Sequence, residues 1–130
     1  MDWELYLKKL IKYAESIEVS VYFSAEGLAP EKSESYYYYK RKKPCRYILV
    51  EHSSTEIKVY TLLHELGHAM DEALSTKKFF KRKKGQTKQK WIFNAEVRAW
   101  RNAKALAYML KIKLADSYED HRRECLATYL

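Results

Sequence analysis

Apolar residues near the start recur at helical spacing. Trp3, Leu7, Leu10, Ile11, Ala14 and Ile17 form a stripe, with Lys8, Lys9, Lys12 and Glu15 off it, which predicts an amphipathic helix over residues 2–16. Val19–Phe23 alternates loosely and is rich in β-formers, so it reads as a strand. A loop with Pro30 follows. Tyr36–Tyr39 opens a second strand, Lys42-Lys43-Pro44 makes a turn, and Arg46–Glu51 is the densest strand pattern in the chain. The last two suggest a hairpin. Ser53 with Glu56 fits a capping box that starts a helix over residues 55–74. Its stripe is Val59, Leu62, Leu63, Leu66, Met70 and Leu74. Residues 75–90 form a basic loop broken by Gly85. A long helix is expected over 90–112, and Asp116 with Glu119 caps a last helix to about residue 129. The expected class is α+β, with a three-stranded sheet packed against about four helices. At 130 residues and with no repeat, the chain is expected to be a single domain, residues 1–130.

One helix carries chemistry. Thr61–Met70 contains His64-Glu65-Leu66-Gly67-His68, and apart from the His-Glu-His set every residue in it is uncharged. Positions i and i+4 share a helix face, so both imidazoles can reach one ion. Imidazole binds Zn²⁺ at about 2.0–2.1 Å. Glu65 stands one position round the helix, where it can take a proton from an attacking water without ligating the metal. Two neutral ligands beside a base form the core of a zinc hydrolase.

A third ligand has to come from elsewhere. On the long helix Ile92, Phe93, Glu96, Ala99, Trp100, Ala103 and Leu110 share a face, and Glu96 is its one charged member. A carboxylate on a buried face needs a compensating partner, either a metal or a basic side chain such as Arg98 or Arg101. His121 on the last helix is the other candidate ligand. Asp71 shares the helix of His64 and His68, which makes it awkward as a ligand but suited to accept a histidine N–H. His52, at the end of the third strand, could line the site or sit on the surface.

The run Thr61–Met70 resembles the zincin metallopeptidases. Their pattern has Val or Thr three positions before the first His, uncharged residues inside the motif and a hydrophobic residue two after the second His. Thr61, Leu66, Gly67, Ala69 and Met70 fit it. Gluzincins take their third ligand, a Glu, from a later helix in an E-x-x-[small]-x setting, and Glu96-Val97-Arg98-Ala99-Trp100 looks like that. The resemblance covers the motif helix and one later helix and leaves the first 45 residues uncovered. It implies a small zincin-like fold with Zn²⁺ held by His64, His68 and Glu96, and a reaction in which Glu65 is the general base for peptide-bond hydrolysis. It also implies that Arg46–Glu51 is a sheet edge to which extended substrate adds as a strand. Tyr108, His121 and Arg98 are candidate donors to the oxyanion. Within the group the chain is most similar to ImmA/IrrE-type peptidases and small phage-encoded zincins, which implies a regulatory or DNA-associated protein as substrate.

Charge adds an alternative. Lys and Arg number 25 against 17 Asp and Glu, a net +8. The excess gathers in Lys77–Lys90 and in Lys40–Lys43 with Arg46. Such blocks attract phosphates or acidic surfaces. The second reading is therefore a zincin-fold binding protein that grips nucleic acid or a protein partner with this surface and the Tyr36–Tyr39 run. Cys45 and Cys125 lack the spacing of a metal pair and read as free thiols in a reducing compartment. No apolar run approaches a membrane span, and the acidic start is unlike a signal peptide. The expectation is a cytoplasmic protein without membrane contact.

Overall fold

The computed structural model describes residues 2–24, 34–40, 43–71 and 87–129. Helix α1, Trp3–Ser16, is opened by Asp2, whose side chain accepts from the Leu5 amide, and it buries Leu10 and Ala14. The chain leaves the helix through Glu18 at φ 59°. Strand β1, Val19–Phe23, runs parallel to β3, Lys43–Val50, from Val19 opposite Arg46 to Phe23 opposite Val50. The backbone of β2, Glu34–Lys40, is antiparallel to β3 on the other side, giving the order β1-β3-β2. The remaining helices are α2, Thr55–Met70, α3, Lys88–Met109, and α4, Asp116–Ala127. Among the described residues the chain is α+β with four helices, and no helix is long and apolar enough to cross a membrane.

Several expectations shift. β3 has a neighbour along each edge, so it is central, and the expected open edge at Arg46–Glu51 is not there. α2 is capped by Ser54, whose hydroxyl accepts from the Ile57 amide 3.3 Å away. Ser53 is not the cap, because Glu56 is engaged elsewhere: its carboxylate accepts from Tyr60 and Ser117. α2 ends at Met70, where Asp71 turns to extended backbone, and Leu74 lies outside the described residues. α3 begins two residues before the expected start because the Thr87 hydroxyl accepts from the Lys90 amide. It ends at Met109, short of residue 112. Asp116 does not cap α4. Ala115 holds that position without a side-chain bond, and Asp116 and Glu119 sit in the first turn, where negative charge suits the helix dipole.

The core forms where these elements meet. Val59, Leu62, Leu63 and Leu66 of α2 are fully buried with Ile48 and Val50 of β3, Leu10 of α1, and Trp100, Ala103 and Leu106 of α3. α3 turns a row of alanines inward: Ala95, Ala99, Ala103 and Ala107, four residues apart, are all buried. Side chains this small let α2 come close. A Cβ built on Gly67 would lie 2.1 Å from the Ala99 carbonyl oxygen, and Asn102 donates to the Gly67 carbonyl at 3.0 Å.

α3 stops through Lys111 at φ 58°, with Ile112 N–H bonding Ala107 O at 2.8 Å and Lys111 N–H bonding Tyr108 O at 3.2 Å. This is a Schellman termination built on a non-glycine residue. Lys111→Gly relieves the left-handed strain and is expected to raise stability by about 0.5–1 kcal/mol, read as a higher urea midpoint.

Candidate metal centre

The close crossing of α2 and α3 sets the site. Gly67 lies between the two motif histidines, and Glu96 is one turn before Ala99. Crossing at Gly67 and Ala99 therefore lays Glu96 across His64 and His68. His64 Nε2 is 2.7 Å from Glu96 Oε2, and His68 Nε2 is 3.1 Å from Oε1. One ligand atom from each of the three residues falls within 4.8 Å of the others, and no other such trio of His, Cys, Asp or Glu exists among the described residues. All three are mostly shielded from solvent, as is Glu65, whose Oε1 is 3.9 Å from His64 Nδ1.

A tetrahedral zinc with ligands at about 2.0–2.1 Å sets its ligand atoms roughly 3.3 Å apart. The observed separations are shorter by a few tenths of an ångström, which is hydrogen-bond spacing. Small side-chain rotations would open them to metal spacing. Two imidazoles and a carboxylate also match the donor set of catalytic zinc sites.

Electrostatics fit the same picture. Burial would raise the Glu96 carboxyl, but hydrogen bonds and charge from His64 and His68 overcome it and hold the group well below the carboxylate range. Burial would lower His68, but Glu96 against it, with Glu65 and Asp71 nearby, lifts its affinity for protons. The consequences for stability have opposite signs. Glu96, depressed in the fold, contributes stability above its unfolded value, and that is lost as pH falls. His68, elevated in the fold, contributes fully below its unfolded value, and that is lost as pH rises. The metal-free chain should therefore be most stable at about pH 4.5–6.5 and weaken above it. Zinc needs neutral imidazoles, so its stabilising increment should grow over the same rise. Thermal unfolding at several pH values, with chelator and with zinc, checks this. Parallel curves would refute the pairing.

Trp100 holds His64 in place. The two rings stack at 4.3 Å with 3° between their planes. Trp100 is itself braced by Tyr118, which stands edge-on at 5.7 Å and donates to its carbonyl. The Trp100 indole nitrogen is buried with no hydrogen-bond partner among the described residues.

The other candidates separate. His121 is outside the ligand trio, though near it: its ring is edge-on to Trp100 at 5.9 Å and tilted on Tyr60 at 5.9 Å. Asp71 faces Arg98, accepting from its Nε at 2.8 Å. Asp71 also raises the proton affinity of His68 through its charge. Tyr108 is 88% exposed. His52 is exposed. Of the basic block Lys77–Lys90, residues 77–86 lie outside the described residues, and Lys88 and Lys90 are exposed at the start of α3.

Two residues near the centre had no part in the sequence reading of the site. Tyr129, just past α4, has its phenol against Glu96, and burial with that carboxylate pushes it up to about 12. Cys125 has its thiol 3.7 Å from His121 Nε2. The signal was spacing: His121 and Cys125 are four residues apart on one face of α4, and Tyr129 follows four later, just past its end. No family model, curated protein or solved structure matches the chain.

Proposed function

We propose that this chain is a zinc-dependent endopeptidase with a zincin-like fold, a three-stranded sheet packed with four helices around the His64-Glu65-x-x-His68 helix. The observation that supports it is the convergence of His64, His68 and Glu96 within 4.8 Å, with Glu65 beside them. Zinc bound there supplies a Lewis acid that polarises the peptide carbonyl and makes water more acidic.

The protein residues do the rest. His64, His68 and Glu96 hold the ion, and Trp100 keeps the His64 ring in register by stacking. Glu65 takes the proton of the attacking water and returns it to the leaving amine. Extended substrate pairs with β2, which has no further strand beyond it among the described residues and lies on the side of the sheet that α2 touches, since β3 is already paired on both sides. By its resemblance to ImmA/IrrE-type zincins, the substrate is a regulatory or DNA-associated protein in the cytoplasm.

The test measures zinc per chain by elemental analysis together with cleavage of a proteome-derived peptide mixture by mass spectrometry. The parent should hold about one zinc and generate new termini. Glu65→Gln should keep the zinc and lose cleavage by about 10²–10⁴-fold. Cleavage undiminished in Glu65→Gln, or a folded parent that takes up no zinc, would sink the proposal.

A further inference from the structure

The inner face of α4 carries a second group of metal-binding chemistry. His121 and Cys125 are four residues apart, so both side chains project from the same face. The helix brings Cys125 Sγ to 3.7 Å from His121 Nε2. Zinc bonds of about 2.3 Å to sulfur and 2.0–2.1 Å to nitrogen, at a tetrahedral angle, place those two atoms roughly 3.6 Å apart. The pair already has the spacing of one edge of such a site, and no backbone has to move to reach it.

Its surroundings favour a cation over a nucleophile. A catalytic Cys–His pair works as thiolate and imidazolium, with the thiol's proton affinity depressed. Here burial raises the Cys125 thiol and lowers the His121 imidazole, so the pair rests neutral. Neutral imidazole is the ligating form, and a soft ion displaces the thiol proton without any change of oxidation state. The same two carboxylates, Glu51 and Glu124, act electrostatically on both groups, giving the neighbourhood the negative potential that draws a cation in. The ring of His121 is fixed against Tyr60 and Trp100, so little side-chain freedom is lost on binding.

We propose that His121 and Cys125 form a separate site for a thiophilic d¹⁰ ion such as Cd²⁺, Cu⁺ or a second Zn²⁺, on the wall of the main centre. Binding breaks the Cys125 S–H bond, releases that proton to solvent, and forms one metal–sulfur and one metal–nitrogen bond. Solvent completes the coordination. The pair does not depend on the peptidase reading, since His64, His68 and Glu96 contribute no ligand to it.

Cd²⁺ is the probe, because thiolate bound to it gives an ultraviolet charge-transfer band that imidazole and carboxylate do not. The full-length chain with Cys45→Ser, kept reduced by a non-thiol reductant, should develop this band on titration. Adding Cys125→Ser should remove it. Adding His121→Ala, or the milder His121→Gln, should weaken Cd²⁺ binding at least tenfold, with thermal unfolding confirming that each variant is folded. The double substitution His64→Ala and His68→Ala should keep the band. No band in the Cys45→Ser chain would overturn the proposal, as would unchanged affinity in both folded His121 variants. Loss of the band in the His64/His68 variant would also overturn it, by making Cys125 a ligand of the first centre. Band retention together with loss of zinc-dependent cleavage would instead separate this site from the peptidase reading.

Discussion

Gly67→Ala is expected to destabilise the fold by about 3 kcal/mol or more and to take zinc binding down with it. The direction is opposite to the usual one. Alanine in the middle of an exposed helix is better than glycine by roughly 1 kcal/mol. At residue 67 the added Cβ would stand 2.1 Å from the Ala99 carbonyl oxygen and 3.2 Å from the Ala103 amide nitrogen. Both are backbone atoms of a helix, so neither can rotate away. α2 and α3 must separate, which opens the alanine seam and breaks the Asn102 bond to the Gly67 carbonyl. Because the same crossing lays Glu96 over His64 and His68, an ångström of separation also spreads the ligand trio. Urea denaturation gives the stability change and a competition titration with a zinc chelator gives the affinity. A variant as stable as the parent would show that the helices do not meet as closely as the Gly67–Ala99 contact requires.

That contact marks where the sequence stops being readable. The helix of His64 and His68 and its buried stripe follow from local pattern, because burial on one side imposes a period; the parallel pairing of β1 with β3 does not, since nothing local sets the direction in which two strands meet. Glu96 was legible for a related reason: it is the one charge on an otherwise apolar face, and such a charge needs a partner. The contribution of Gly67 was not. Inside the motif it looks like a tolerated small residue, and its value depends on which residue of a helix 32 positions away sits opposite. The central place of β3 was hidden for a similar reason, since strand order is a non-local property and Arg46–Glu51 reads the same at an edge or in the middle. Cap positions slipped by one residue at Ser54 because Glu56, the expected box partner, makes a longer-range network with Tyr60 and Ser117. The role of α4 was missed because its polar sequence looks like a solvated surface helix. Only Tyr118, its one buried residue among those described, anchors it to Trp100, and that anchor is what turns His121, Cys125 and Tyr129 toward the site.

Glu96→Ala is expected to reduce zinc affinity on the order of 100-fold or more, beyond the 10–100-fold that loss of an outer partner costs. The variant removes one of three ligand atoms. It also removes the anion that offsets the charge brought by the ion into a site where His64, His68 and Glu96 are each largely shielded. The metal-free fold should survive the change near neutral pH, because the carboxylate it loses was costly to bury. Below the imidazole range the variant should be markedly less stable than the parent, since a protonated His68 would have lost its closest counter-charge. Two comparisons make the result specific. Asp71→Asn removes a charge that lifts the proton affinity of His68 and leaves the trio intact, so its effect on zinc should be tenfold or less. His121→Ala, the other sequence-level candidate for third ligand, should leave the first zinc bound as tightly as in the parent. Competition titrations on the four proteins, with zinc content measured on the same samples, decide it. If His121→Ala loses the zinc and Glu96→Ala keeps it, α4 supplies the third ligand, and the short Glu96 contacts are a metal-free pairing that the ion displaces.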